Sequence, residues 1–154
     1  MALRKILTFP DDALTKHSRE VTNFDKRLQA LLDDMLETMR NVQGAGLAAV
    51  QVGVLRRVCV VECVEGEVIE LINPVIAAFE GEQDGLEGCL SVPGMQGTVK
   101  RPMKVTVKAF DRKGKPFEVT GEELMARALC HELDHLDGKL YLSIAENVEK
   151  VTAE

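Results

Sequence analysis

The chain has 154 residues, and its 25 acidic side chains outnumber its 19 Lys and Arg side chains, which gives a formal net charge of −6. Hydrophobic residues make up 45% of the sequence and charged residues 29%, a composition that excludes disordered and collagen-like chains. The acidic balance also disfavours a protein that binds nucleic acid by neutralising phosphates. We therefore expect a single globular domain over residues 1–154, with a short acidic tail from about residue 144 and no direct binding to nucleic acid.

The sequence has no feature that is typical of a secreted or membrane protein. Its first nine residues lack the apolar stretch and cleavage site of a signal peptide, and no apolar run reaches the roughly 18 residues that cross a membrane. We therefore expect a cytoplasmic protein without membrane contact. In that reducing compartment Cys59, Cys63, Cys89 and Cys130 are expected to be free thiols, metal ligands or core residues rather than disulfides.

The first predicted element is an amphipathic helix over residues 25–42. Its apolar side chains recur every three or four residues, which is the spacing of one helix face. Thr22 and Asn23 precede it as candidate caps, and Gly44 is placed to end it. The apolar positions that define the face are Leu28, Leu31, Leu32, Met35, Met39 and Val42.

Short β-branched runs bounded by Gly, Pro, Asp or Asn come next, and they predict strands. These runs are too close together in the chain for helical crossovers, so the sheet should be mainly antiparallel. Residues 81–97 form the longest turn-rich stretch and are predicted to be an ordered loop system. The predicted strands cover residues 58–61, 68–72, 75–79, 105–110 and 117–119.

A second helix is predicted over residues 124–136. Thr120 and Glu123 have the spacing of a capping box ahead of it, and Gly138 can end it. The fold class that follows is α+β, with mainly antiparallel strands packed around this late helix, which carries most of the chemistry.

The strongest chemical signal lies in the second helix, in the segment His131-Glu-Leu-Asp-His135. Two imidazoles four residues apart lie on one face of a helix and can bind one metal ion, with Glu132 projecting beside it. The alternative is that the two histidines merely cap a polar patch. The chain has only three histidines, however, and two of them have this spacing. We therefore favour a metal site on the second helix.

A third protein ligand is needed, and the residues alone leave its identity open. The pattern with a third histidine at a fixed distance fails, because that position holds Tyr141, and a downstream glutamate would have to come from the short tail. Cys89 lies in a Gly- and Pro-bounded segment, residues 87–93, that can bend a thiolate towards a helix. Thiolate is a good ligand for zinc or ferrous iron. Taken alone, such a cysteine is more often a buried core residue, as we expect for the other three cysteines.

A third segment, Gly44-Ala-Gly-Leu-Ala-Ala-Val-Gln51, matches the dinucleotide-binding fingerprint at Gly44, Gly46 and Ala49. Its context argues against that function, since a dinucleotide-binding loop follows a strand and opens a helix, whereas this segment follows a helix. The glycines would also let a bound chain approach the backbone closely, and Gln51 offers a carboxamide donor.

Together and in this order, the three segments resemble those of the peptide deformylase family. The likeness covers about residues 1–143 and implies a peptide deformylase-like fold. Ala45, Val50 and Cys130 depart from residues common in the family, but none of these changes removes a metal ligand or catalytic group. The segments that carry the resemblance are residues 6–11, 44–51, 71–74, 87–93 and 131–138.

The resemblance implies an enzyme that removes the formyl group from the N-terminal formyl-methionine of newly made polypeptides and releases formate. Cys89, His131 and His135 would hold one divalent metal, with water at the fourth position. Glu132 would be the general base. Fe²⁺ is the metal expected in the cell, and Zn²⁺, Ni²⁺ and Co²⁺ are the alternatives.

The resemblance also implies the contacts with substrate. The backbone N–H of Leu90 and the carboxamide of Gln51 would donate to the former formyl oxygen. The peptide would add as an extra strand along residues 44–47, beside one apolar pocket for methionine. Arg101 either pairs with Glu87 to brace the second motif or is a solvated surface residue. The residues predicted to bind substrate are Gly44, Ala45, Gly46, Leu47, Glu87, Leu124 and Ala128.

The expected partners are N-formyl-methionyl nascent peptides, with transient proximity to the ribosome. The tail after Leu142 is acidic, which argues against the basic carboxy-terminal helix that some family members use to dock there.

Two other functions stay open. A zinc endopeptidase would use the same two histidines and glutamate, but the chain lacks a recognisable third His or Glu ligand. A relative without turnover, which keeps the metal for stability or binds peptides, could have lost Glu132 or Gln51, and both are present.

Overall fold

A computed structural model describes residues 2–151 of the chain. Within this range two helices and eight strands form two antiparallel sheets, so the predicted α+β fold is confirmed. The helices are α1 (Lys26–Asn41) and α2 (Leu124–Leu136). The strands are β1 (Gly46–Ala48), β2 (Val58–Val61), β3 (Ile69–Glu80), β4 (Gln83–Cys89), β5 (Val92–Arg101), β6 (Lys104–Phe110), β7 (Pro116–Glu122) and β8 (Glu146–Lys150).

The two sheets bring two edge strands to the same region of the molecule. The larger sheet has the strand order β1-β2-β3-β6-β7, and the smaller sheet has the order β4-β5-β8. Every pair of neighbouring strands is antiparallel. The first and second motifs therefore lie on edge strands, β1 of the larger sheet and β4 of the smaller one.

The larger sheet separates two apolar clusters, one beneath each helix. Side chains alternate along β1, so Leu47 packs towards α1 whereas Ala48 packs towards α2. Cys59 and Cys130 are buried in the cluster beneath α2, and Cys63 packs against it partly buried. These three cysteines are therefore core residues, as expected from the sequence.

Helix α1 lies where the sequence predicts, but its capping residue differs. The side chain of Asp25 accepts a hydrogen bond of 3.1 Å from the backbone N–H of Leu28 and caps the helix. The predicted caps, Thr22 and Asn23, lie further before the first turn, so the closer carboxylate takes this position. Within residues 2–151, no helix is both long and apolar enough to cross a membrane.

Residues 68–72 and 75–79 were predicted as separate strands, and they form the single strand β3. Asn73 and Pro74 shift the register against β6 instead of ending the strand. Asn73 has a φ of 51°, and its side chain bonds both the N–H and the C=O of Val21, at 2.8 and 2.9 Å. This long-range contact holds the irregular residue inside a continuous strand.

The prediction of a loop system over residues 81–97 was wrong. Most of this segment belongs to the hairpin of β4 and β5, in which Gln83 pairs with Arg101 and Glu87 with Gly97. Its glycines weaken the local strand signal, and only pairing with a neighbouring strand stabilises it. The acidic tail adds strand β8 to the same sheet by pairing with β5.

Helix α2 begins without the predicted capping box. Thr120 belongs to β7, whose ladder with β6 continues to Glu122, and its hydroxyl lies 3.0 Å from that of Thr106. Glu123 precedes the helix with a φ of 54°, and among the described residues its side chain caps nothing. The end of the helix is as predicted, because Gly138 has a φ of 74°, a left-handed conformation that favours glycine.

Candidate metal centre and active site

The three predicted metal ligands lie together where the hairpin of β4 and β5 meets α2. The Nε2 atoms of His131 and His135 are 3.2 Å apart, and Sγ of Cys89 lies 3.3 Å from Nε2 of His135. All three ligand atoms lie within 4.8 Å of one another. Tetrahedral bonds of about 2.1 Å to nitrogen and 2.3 Å to sulfur require separations of roughly 3.3 to 3.6 Å. Both separations from His135 are close to these values, so the arrangement is compatible with a single metal ion.

The local sequence explains why Cys89 faces the helix. Cys89 ends β4 and pairs with Val92, so Leu90–Ser91 forms a two-residue turn between the strands. The register of the hairpin shifts between Glu87 and Cys89. A β-bulge of this kind changes the direction of a side chain, and here the thiol lies over α2.

Burial and neighbouring groups shift the pKa values of the two histidines in opposite directions. Burial and the neighbouring His131 lower the pKa of His135 to about 3, so its ring stays neutral and keeps a lone pair for a metal. Burial also acts against charge on His131, but hydrogen bonds to Cys89 and Glu87 outweigh it and raise the pKa of His131 to about 10. A metal ion would therefore displace a proton from His131, whereas His135 is already neutral.

Glu87 orients the ring of His131 from the side opposite the cluster. Its Oε1 lies 2.8 Å from Nδ1 of His131. Burial raises the pKa of Glu87, but hydrogen bonds from Arg101 and His131 outweigh burial and lower the pKa to about 2. The carboxylate is therefore ionised and can only accept, so Nδ1 donates and Nε2 is left for a metal.

Two arginines hold Glu87 in place. Arg101 donates two hydrogen bonds to its carboxylate, at 2.7 and 2.9 Å, and Arg127 donates one at 2.7 Å. Arg101 is only 5% exposed, so it braces the second motif and is not a solvated surface residue. Arg127 was missed in the sequence analysis. Its position four residues before His131, on the same helix face, is the signal that could have identified it.

Glu132 is buried beside the cluster and is suited to carry a proton. Within residues 2–151 its Oε1 has no hydrogen-bond partner. Burial raises the pKa of Glu132 to about 7, which suits a general base near neutral pH. Strand β1 passes so close that a Cβ at Gly46 would lie 2.5 Å from Oε2 of Glu132. A side chain at position 46 would therefore force this carboxylate to move.

Gln51 reaches the cluster from the short 3₁₀ segment that follows β1. Its Oε1 accepts a hydrogen bond of 2.9 Å from the backbone N–H of Ala48. Its Nε2 lies 3.1 Å from Oγ of Ser91 and 3.6 Å from Sγ of Cys89. The carboxamide thus presents N–H groups beside the candidate metal ligands. Ser91 is a second residue that the sequence analysis missed, although it lies in the second motif.

Leu90 is placed next to the same cluster by the turn of the hairpin. Cys89 and Val92 form the last pair of the strand ladder, and Leu90 follows Cys89 in the turn. The backbone N–H of Leu90 is therefore not part of the ladder between the strands. Its side chain covers Gly44, where an added Cβ would lie 2.9 Å from Cδ1 of Leu90. The first and second motifs are therefore in direct contact.

A cavity of about 350 Å³ lies beside Cys89 and His131. This volume is within the usual range for sites that bind small ligands. Two larger and more open grooves, of about 640 and 620 Å³, lie along β3 and contain none of the three ligands. Leu86, Gly88 and Arg127 line the smaller cavity and were not predicted. The predicted residues that line it are Gly44, Ala45, Gly46, Gln51, Glu87, Cys89, Leu90, Leu124, Ala128, His131 and Glu132.

Leu47 differs from the other residues predicted to bind substrate, because its side chain does not reach this cavity. It is fully buried in the cluster beneath α1. The alternation of side chains along β1 turns it away from Glu132, which faces Gly46. Leu47 can therefore contact a bound peptide only through its backbone.

Comparison with known proteins gives matches over nearly the whole chain. Residues 3–151 match the family model described as polypeptide deformylase. A peptide deformylase of Caldicellulosiruptor bescii is 56% identical over 92% of this chain and 85% of that protein. One from Lachnoclostridium phytofermentans is 53% identical over 100% of this chain and 92% of that protein.

Solved structures agree with the sequence matches. The crystal structure of a peptide deformylase from Legionella pneumophila has a TM-score of 0.92 and 50% identity, and the match covers 94% of this chain and 87% of that chain. A peptide deformylase from Synechococcus elongatus in complex with actinonin has a TM-score of 0.90 and 35% identity, over 94% of this chain and 79% of that chain.

The fold and the cluster of one cysteine and two histidines define a metal-dependent hydrolase. The chain belongs to the peptide deformylase family, whose members remove the N-formyl group from newly made polypeptides. The match over residues 3–151 leaves the zinc endopeptidase alternative without support.

Proposed function

We propose that this chain removes the formyl group from N-terminal formyl-methionine with Cys89, His131 and His135 holding one divalent metal. The reaction is that of the peptide deformylase family, and the geometry of the site supports the role proposed for each residue. The observation that carries them is the convergence of three ligand atoms and the buried carboxylate of Glu132 at one cavity beside an edge strand.

Glu132 is the general base in this proposal. The bound metal would activate a water molecule as the nucleophile. Oε1 of Glu132, which has no partner within residues 2–151, takes the proton from that water. A pKa of about 7 lets the same carboxyl release the proton again near neutral pH. The water oxygen bonds to the formyl carbon. Glu132 then donates the proton to the nitrogen of the N-terminal methionine as the bond between this nitrogen and the formyl carbon breaks, which releases formate and a free amine, because the nitrogen is a poor anionic leaving group.

Gln51 and Leu90 stabilise the negative charge that develops on the former formyl oxygen. Nε2 of Gln51 lies beside Cys89, and the backbone N–H of Leu90 lies in the adjoining turn. The carboxamide of Gln51 is hydrogen-bonded at both Oε1 and Nε2, so this donor needs little reorganisation during the reaction. Losing one such donor typically costs about 2.7 to 4 kcal/mol of barrier.

The substrate peptide lies along the first motif as an added strand. Strand β1 is at the edge of the larger sheet, so its outer side is available for pairing. Backbone pairing along residues 44–47 would tolerate many sequences after methionine. Ala45, Leu124 and Ala128 line the cavity and form the apolar pocket for the methionine side chain.

The ligand set supports a divalent metal, and we propose Fe²⁺, with Zn²⁺, Ni²⁺ and Co²⁺ as substitutes. One thiolate and two imidazoles suit all four ions. Donation from sulfur weakens the Lewis acidity of the ion, and iron compensates by expanding its coordination more readily than zinc. A zinc form as fast as an anaerobically prepared iron form would contradict this choice.

The cytoplasmic location and the transient proximity to the ribosome stay predictions from the sequence.

Incubation of the purified protein with a formyl-methionyl peptide tests the proposal. Under anaerobic conditions we expect equal amounts of formate and free amine from the iron, nickel and cobalt forms. The same peptide without its formyl group should stay intact, and cleavage of its internal bonds would favour an endopeptidase. The absence of formate and amine with all three metals would overturn the proposed function.

A further inference from the structure

The carboxamide of Gln51 is held at both of its ends by this chain. The backbone N–H of Ala48 can only donate, so its 2.9 Å contact identifies Oε1 and assigns Nε2 to the other side. Nε2 donates to Oγ of Ser91 over 3.1 Å. Gln51 is 1% exposed and Ser91 is fully buried, so water does not compete for either contact.

The contact with Ser91 determines where the second N–H of Gln51 points. A carboxamide nitrogen carries two hydrogens, and Oγ of Ser91 accepts one of them. Sγ of Cys89 lies 3.6 Å from the same nitrogen, so the other hydrogen is directed towards the metal ligands. This is the side on which the former formyl oxygen would become negative.

We propose that Ser91 is a positioning residue that aims the second N–H of Gln51 at the former formyl oxygen. This inference rests on the proposed function, because it requires Gln51 to be an oxyanion donor. Without the hydroxyl of Ser91, the contact with Ala48 still holds Oε1, but only the longer contact of 3.6 Å with Sγ of Cys89 restrains Nε2. Part of the preorganisation on which such a donor depends would then be lost.

The backbones of Ser91 and Gln51 are held together independently of the hydroxyl. The C=O of Ser91 accepts a hydrogen bond of 2.7 Å from the N–H of Phe9, and the C=O of Gln51 accepts one of 2.7 Å from the N–H of Leu7. The amino-terminal segment therefore ties together two residues that are 40 positions apart. Removing Oγ alone should leave the hairpin and the 3₁₀ segment in place.

A double-mutant cycle with Ser91→Ala and Gln51→Leu tests the inference on a formyl-methionyl tripeptide. Because one hydrogen bond contributes about 0.5 to 1.5 kcal/mol net, we expect Ser91→Ala to lower kcat about 3- to 10-fold. KM and the metal content should change less than about twofold, since the hydroxyl orients a donor and holds neither metal nor peptide. In the Gln51→Leu background, Ser91→Ala should have less than about a twofold effect on kcat.

Ser18→Ala is the matched control, because Ser18 is equally buried and within residues 2–151 its Oγ has no hydrogen-bond partner. This variant should keep the wild-type kcat. Ser91→Gly serves as a second variant and should show the same loss of kcat as Ser91→Ala.

An equal loss of kcat in both backgrounds would overturn the inference, and so would loss of metal from the Ser91 variants, which would show that Ser91 acts through Cys89. Formate release by the wild type keeps the proposed function in place in either case. A wild type that releases no formate would overturn the proposed function and this inference with it.

Discussion

Two buried glutamates of the site, Glu87 and Glu132, have opposite acid–base properties because of their neighbours. Burial raises the pKa of both carboxyls. Hydrogen bonds from Arg101 and His131 reverse that effect only at Glu87, whose pKa falls to about 2, whereas the pKa of Glu132 rises to about 7. Glu87 is therefore a fixed anion that orients a ligand, and Glu132 is the group that can exchange a proton.

Replacement of Glu132 by glutamine should abolish most of the turnover without loss of the metal. Glutamine has nearly the same shape beside Gly46 but cannot carry the proton, and transfer of this kind contributes about 10²- to 10⁴-fold. Steady-state formate release and elemental analysis of the same sample check this. Activity above about a tenth of wild type would contradict the role of Glu132.

Replacement of Cys89 by serine should lower the affinity for the metal, because a neutral hydroxyl replaces a soft anionic sulfur. Metal content after dialysis measures the effect. Cys63→Ser makes the same chemical change in a partly buried residue that is not among the three candidate ligands. This variant should keep a full metal content. Equal metal content in the two variants would show that Cys89 is not a ligand.

At the scale of elements, the hairpin of β4 and β5 and helix α2 are joined by a buried ionic network. Glu87 of β4 accepts from Arg101 of β5 and from Arg127 of α2. Arg101 also donates to Asp134 of α2 at 2.7 Å. These contacts set the distance between the strand that carries Cys89 and the helix that carries the two histidines.

Glu87→Gln should destabilise the fold, since it leaves the buried guanidinium group of Arg127 without its anionic partner and Arg101 with Asp134 alone. Breaking a buried ion pair by removing one member typically costs about 3 to 5 kcal/mol. Urea unfolding of the metal-free protein measures the change. Glu82→Gln, at an exposed position between β3 and β4, is the control and should be within about 0.5 kcal/mol of wild type. Equal stability of the two variants would mean that the network contributes little to folding.

Glu62 links the end of α1 to the turn that follows β2. Hydrogen bonds from Arg40 and from the backbone N–H of Gly66 lower the pKa of Glu62 to about 2. Arg40→Met should therefore raise this pKa towards the ordinary value of 4.5, as NMR titration of the carboxyl would show. Because the folded pKa lies below the unfolded value, the contact stabilises the fold above pH 4.5 and loses its effect as the pH falls towards 2. An unchanged pKa in the variant would contradict this cause.

At the scale of the whole molecule, the candidate metal centre connects parts of the chain that the sheets alone do not join. Cys89 belongs to an edge strand of the smaller sheet, whereas His131 and His135 belong to a helix that packs on the larger one. A metal held by all three would stabilise the folded state, because the unfolded chain does not present these ligands together.

Removal of the metal by a chelator should therefore lower the melting temperature. At a metal concentration of about 100 times Kd the bound ion contributes about 2.7 kcal/mol, which corresponds to roughly 5 to 10 °C for a domain of this size. Thermal unfolding followed by circular dichroism, with and without chelator, measures the shift. Cys89→Ser should show a smaller shift, and an equal shift in both proteins would place the stabilising metal elsewhere.

Local patterns were sufficient for the helices and for two of the three candidate metal ligands. The spacing of His131 and His135 places both rings on one helix face whatever the rest of the chain does, and the apolar periodicity of α1 is equally local. The capping residues of both helices were less predictable. Thr120, for example, is held in β7 by pairing with β6, which overrides its capping propensity.

The amino-acid sequence was sufficient for the α+β class, the helix that carries the histidines and, through the family resemblance, the reaction. The residues alone left the third ligand open, and it was the folded structure that showed Cys89 next to His135 across 46 positions, Arg127 and Arg101 sharing Glu87, and Ser91 holding Gln51. The physical reason is that helical spacing is encoded within a few residues, whereas strand register and bulges depend on which distant segments pair. The glycine-rich segment over residues 81–97 carries almost no local signal, and pairing made it the hairpin that presents the thiol.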